Sequence, residues 1–145
     1  SADARGCDAR DAGGEWCVTD IRRLGQIILA RIVAEVPELG GRVFDKASEN
    51  TVLPYVTLGA IYGVEDDAEC IEADEWVVQI DLWDRASNKL KAADLAQKVR
   101  RALKGWSDTS EVTMHPLMVE PPRIMDDPDG VTVHAVLMVE ASVEG

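Results

Sequence analysis

Residues Glu75 to Trp106 read EWVVQIDLWDRASNKLKAADLAQKVRRALKGW, and within them the apolar period changes from two to 3.6 across a short joint. Trp76, Val78, Ile80 and Leu82 take the even positions while Gln79 and Asp81 mark the odd face, the alternation of a strand with one buried side. Asp84, Arg85, Ala86 and Ser87 break that alternation. With Ser87 as N-cap and 100° per residue, Ala92, Leu95, Ala96, Val99, Ala102, Leu103 and Trp106 share one arc. Lys89, Lys91, Lys98, Arg100, Arg101 and Lys104 lie opposite. The stretch predicts a strand feeding an amphipathic helix whose basic face meets solvent or a partner.

Toward the N-terminus, Ser1 to Glu15 is rich in Ala, Asp, Arg and Gly without an apolar period. It predicts an arm over 1–18, flexible or ordered by a partner, ahead of a single domain over 19–145. Thr19 is a plausible N-cap for a helix running to Val36, stopped by Pro37, Gly40 and Gly41. Its expected apolar face holds Ile21, Gly25, Ile28, Leu29, Ile32, Val33 and Val36, with Ile27 pointing away. A face this wide belongs either to a core helix of a compact monomer or to one covered on a second side by the arm or another subunit.

Arg42 to Ala47 reads as a short strand. From Tyr55 to Gly63, Val56, Leu58, Ala60 and Tyr62 alternate with Thr57 and Gly59, so an antiparallel hairpin with the Glu75 strand is expected across the acidic connection Val64 to Asp74. Glu111 to Val119, interrupted by Pro116, fits an edge strand. Asp129-Gly130 signals a tight reversal, and from Val131 to Val143 every odd position is apolar, giving the longest strand. Its even face is polar apart from Val136 and Met138. The predicted fold is α+β, a mostly antiparallel sheet with two helices packed on one face in the order α-β-β-β-α-β-β.

A chain of 145 residues with 46% hydrophobic and 29% charged side chains is one domain able to bury its own core. The net charge of −12 argues against a surface built to grip phosphates. That charge is uneven, with six bases against Asp94 alone between Ser87 and Trp106, and seven acids without a base between Val64 and Glu75. Glu65, Asp66, Asp67 and Glu69 therefore belong either to a solvated loop or to the electrostatic complement of the basic helix on a second copy. Leu90, the one large apolar residue on the outward arc, joins Lys98, Arg101 and Lys104 as an interface candidate, as do Val136, Met138 and Trp16. Trp83 is expected to be core against the second helix; Trp16 fits either core or a partner's anchor.

Three cysteines, Cys7, Cys17 and Cys70, form no C-x-x-C pair and indicate neither a disulfide framework nor zinc, which agrees with a reducing cytosol. No apolar run approaches the ~18 residues of a membrane span. Nucleophile-elbow, P-loop and dinucleotide fingerprints are all absent from the sequence, and His115 and His134 fall on separate candidate strands. Asp126, Asp127 and Asp129 fail calcium-loop spacing and read as a turn. No cofactor, metal or catalysis is expected.

The linear pattern resembles the tail completion, or tail terminator, family of long-tailed bacteriophages and gene transfer particles. Its marks are Arg42-Val43-Phe44-Asp45, Pro54-Tyr55-Val56-Thr57-Leu58-Gly59, Gln79-Ile80-Asp81-Leu82-Trp83, the helix with Ala92, Ala93, Leu95, Ala96, Val99 and Leu103, and the closing Asp-Gly turn and long strand with His134. The resemblance spans about Thr19 to Glu144 and leaves out the arm. It implies a hexameric ring on the head-proximal end of a tail tube, ending tube growth and meeting the head connector or stopper. It also implies that DNA passes through without sequence-specific binding, and that the protein resides at the head–tail junction of a virion assembled in the host cytoplasm. The alternatives are another neck adaptor, or a small cytosolic metal-dependent enzyme using the Asp126 to Asp129 loop, possibly with His134.

Overall fold

A computed structural model describes residues 21–64, 73–108 and 113–144. Helix α1 (Ile21–Glu35) and a 3-10 turn (Pro37–Leu39) precede β1 (Val43–Phe44), β2 (Tyr55–Val64) and β3 (Ala73–Arg85). A second 3-10 turn (Ala86–Asn88) leads into α2 (Lys89–Leu103), followed by β4 (Thr113–Met114), β5 (Met118–Val119), β6 (Arg123–Asp126) and β7 (Thr132–Glu144). The spatial order is β1-β2-β3-β7-β4, with β5 and β6 also on β7; every pairing is antiparallel except β1 with β2.

Strands β3 and β7 pair along their whole lengths, setting Val78 opposite Val139, Ile80 opposite Leu137 and Leu82 opposite Ala135. All six are fully buried. They join Leu24, Ile28 and Ile32 of α1 and Leu95, Ala96 and Val99 of α2 in one cluster, so both helices cover the same face of the sheet. The other face has no helix over it among the described residues. This two-layer arrangement follows from the period-two and period-3.6 stripes, each of which must find an apolar partner.

Several expectations are corrected. Ser87 is not the cap of α2; it lies in the 3-10 turn, and Asn88 at the cap position makes no side-chain capping bond. The helix ends at Leu103, where Gly105 at φ 78° turns the chain and leaves Trp106 half-buried against the core beyond it. In α1 the buried stripe is rotated: Leu24 and Ile27 are inside, Val33 is 43% exposed. Helix α1 packs against α2 as well as the sheet, so its stripe must serve two neighbours. Arg31 sits at that junction, its Nε donating to Ala102 O at 2.9 Å and its guanidinium lying 4.9 Å from the Trp106 ring centroid. The Thr19 cap and the arm fall outside the described residues.

Strand β2 departs from simple alternation. Leu58 faces Ile80 and Ile61 faces Val78, so Gly59 and Ala60 together oppose Gln79 in a bulge. Ile61, not Tyr62, therefore continues the helix-side face. Only Val56 and Thr57 of β2 are covered by β1, which leaves the outer backbone of β2 unpaired from Leu58 onward among the described residues, with Ile61, Tyr62 and Val64 40–49% exposed. The predicted edge strand over 111–119 is two short pieces, β4 and β5, separated around Pro116. Strand β6 was not expected, and Val131, expected at the start of the long apolar face, is 68% exposed in the turn before β7.

Candidate functional site

The outer arc of α2 is partly engaged within the chain. Lys89 Nζ lies 3.1 Å from Asp126 Oδ1, tying the helix to β6, and Arg100 Nε donates to Val119 O at 3.0 Å, tying it to β5. Lys98 pairs with Glu38 on the 3-10 turn after α1 and with Asp94 one helical turn back. Leu90 is 86% exposed, and Arg101 and Lys104 stand exposed at the other end of the arc. Among the described residues Arg101 and Lys104 enter no ion pair. Lys98, an interface candidate from the sequence, thus fastens α2 to the end of α1, and altering it disturbs the fold as well as any contact.

The Glu38–Lys98 pair carries a pH prediction. The Lys98 hydrogen bond holds the Glu38 carboxyl below its ordinary value of 4.5, and the Glu38 hydrogen bond, followed by that of Asp94, holds the Lys98 ammonium above its ordinary 10.5. A lowered acid stabilises the fold above its unfolded value, and the effect fades as pH falls through the folded one; a raised base does so below its unfolded value, fading as pH rises through the folded one. The pair is therefore intact from about 4.5 to 10.5. Melting curves of the native chain and of Lys98→Met are expected to run parallel across that window and to converge only outside it.

The sheet face without a helix among the described residues, the open face, holds a polar and aromatic cluster joined from three strands. Trp83 is half-buried there, not in the core against α2, because its odd position points away from the helices. It stands opposite His134 of β7, and the two rings stack 3.9 Å apart at 8°. Asp81, only 6% exposed, receives on Oδ1 the His134 Nε2 at 2.9 Å and the Gln79 Nε2 at 2.8 Å. Trp83 Nε1 donates to Thr57 Oγ1 at 3.2 Å. A buried carboxylate is tolerable because it is bonded in this way. The bulge at Gly59 makes the room: a Cβ there would lie 2.5 Å from Asp81 Oδ2 and 2.7 Å from Gln79 Nε2. Beside Trp83 a shallow hollow of about 200 Å³ is lined by Asp45, Lys46, Tyr55 and Thr57. Burial and the nearby Asp127 raise the Tyr55 phenol above its ordinary value.

Val136 and Met138 are half-buried on this same face, alternating with the core residues Ala135, Leu137 and Val139. Strand alternation thus sets Val136 and Met138 on one side of the molecule, and Leu90, Arg101 and Lys104 belong to the helix layer on the other. Glu65, Asp66, Asp67, Glu69 and Trp16 lie outside the described residues. The signal for the cluster was present in sequence as Gln79, Asp81 and Trp83 on one strand face, but the joining partners Thr57, Gly59 and His134 come from two other strands.

Asp126 ends β6, and Asp127 to Gly130 is a turn. Asp129 Oδ1 accepts from the Val131 and Thr132 amides at 2.9 Å each and its Oδ2 from Thr132 Oγ1 at 2.7 Å, while Gly130 takes φ 78°. The Thr132 hydroxyl and then those amides lower the Asp129 carboxyl below its ordinary value. No group of three or more potential metal-binding side chains occurs among the described residues. His115 lies apart from His134 and contacts Glu144 Oε2 at 2.7 Å. Among the described residues no helix is long and apolar enough to cross a membrane.

Compared with known proteins, residues 29–144 match the family model described as tail completion protein gp17. A comparison with curated proteins gives no match. Among solved structures, a chain from the "virion of native gene transfer agent (GTA) particle" shares the fold with a TM-score of 0.66 and 18% identity, over 81% of this chain and 92% of that one.

Proposed function

The chain belongs to the tail completion protein gp17 family, and on that basis we propose that it is a virion structural protein forming a hexameric ring on the head-proximal end of a tail tube. There it stops tube growth and joins the tail to the head connector or stopper. The observation that carries this reading is the family match over most of the folded domain.

The geometry is consistent with the task. A closed ring of identical subunits needs two unlike patches on each, because the contact is heterologous. The open face, with Trp83, His134, Val136 and Met138, and the outer arc of α2, with Leu90, Arg101 and Lys104, lie on opposite layers and differ in chemistry. A net charge of −12 suits an opening through which DNA slides without adhering. No step of this role makes or breaks a covalent bond.

The test is electron microscopy of particles made without this chain. Filled capsids lacking joined tails, together with free tails of irregular length, are expected. Tails of normal length joined to filled capsids would refute the role.

A further inference from the structure

Between the first half of α1 and the outer half of β2 runs a groove of about 290 Å³, walled by Ile21, Gly25, Leu29, Leu58 and Ile61 and rimmed by Arg22, Gln26 and Asp45. Its lining is largely apolar, with Ile61 40% exposed and Ile21, Leu29 and Leu58 half-buried. Gly25 stands in the middle of α1, where glycine favours the helix less than alanine does. Gly25 is buried, yet among the described residues a Cβ on it would meet only Leu58 Cδ1, at an ordinary 4.0 Å. The space above Gly25 is thus shaped for a group that the described residues do not supply.

We propose that this groove is the seat of the chain's own N-terminal segment, with Trp16 as the side chain that fills it. Residues 1–20 end at Ile21, itself a wall of the groove, so the segment enters at the right place. Trp16 is the only aromatic among them, and Val18 follows two residues later. Five residues from Trp16 to Ile21 span up to about 17 Å when extended. The groove runs along α1 from Ile21 to Leu29, about 12 Å of helix. The segment can therefore fold back and place its indole over Gly25 without help from another molecule.

A double-mutant cycle on the full-length chain tests this. Trp16→Ala is expected to lower the melting temperature by about 3 to 6 °C. In a Gly25→Leu background, where a side chain already fills the floor, the same change is expected to have little effect. Ile61→Glu at the rim serves as a second background. Both couplings should hold unchanged across a tenfold range of protein concentration. Equal effects of Trp16→Ala in native and filled-groove chains, or no effect at all, would overturn the proposal. A coupling that grows with concentration would also overturn it, assigning the groove to the arm of a second copy.

Discussion

Gly59→Ala is expected to lower the melting temperature by about 5 to 10 °C, a loss of roughly 2–3 kcal/mol from a change of one methyl group. The added Cβ would sit 2.5 Å from Asp81 Oδ2 and 2.7 Å from Gln79 Nε2. Both are side-chain ends, which ordinarily swing aside at little cost. Here they cannot, because Asp81 is 6% exposed and held by Gln79 and His134, so any retreat breaks bonds to a carboxylate that has little water to replace them. The effect should be strongly non-additive: in an Asp81→Ser background, where the nearest oxygen is withdrawn, Gly59→Ala should cost much less. Thermal melts of the four chains measure this, and equal losses in both backgrounds would show that the bulge, not the cluster, sets the penalty.

The second large effect concerns assembly. Reversing Arg101 and Lys104 together to glutamate is expected to reduce joined particles at least about tenfold, because like charges brought together at a contact cost several kcal/mol. The fold should survive. Both residues are exposed and enter no ion pair among the described residues, so the change removes a favourable end charge from α2 and about 0.3–1 kcal/mol for each residue. Asp66→Lys with Asp67→Lys on the same molecule should restore joining if the acidic connection of a neighbouring copy is the complement. Particle counts by microscopy, beside a melting curve, separate the two outcomes; unchanged counts would mean that these charges serve solvation alone. Lys98 is unsuitable for such a reversal because its pairing with Glu38 is part of the fold.

What could be read in advance follows from the range of the interaction responsible. The stripe on α2 and the even face of β3 are local periodicities, and Ala92 to Leu103 and Val78 to Leu82 are buried as their spacing requires. The stripe on α1 differs from its expected alignment, with Ile27 buried and Val33 exposed, and α1 packs against α2 as well as the sheet, a second neighbour that no pattern within α1 records. The Gly59–Ala60 bulge shifts the face of Ile61 and Tyr62, and the side chains that fill the space beside Gly59, Asp81 and Gln79, come from across the sheet. Strand β6, a four-residue strand directly after Pro121 and Pro122, pairs because the Asp129 turn brings β7 back alongside it. The Trp83–His134 stack joins residues far apart in sequence, so it emerges only once the β3–β7 register is known.

The outer edge of β2, unpaired from Leu58 onward among the described residues, bears on the life of the free protein. It carries neither lysine nor proline between Leu58 and Val64, the usual guards against unwanted strand addition, and it shows Ile61, Tyr62 and Val64 beside open amides and carbonyls. An edge of this kind can accept a strand from another chain. On the proposed ring role, neighbours that cover this edge would guard the protein in a way that its own folding stability does not.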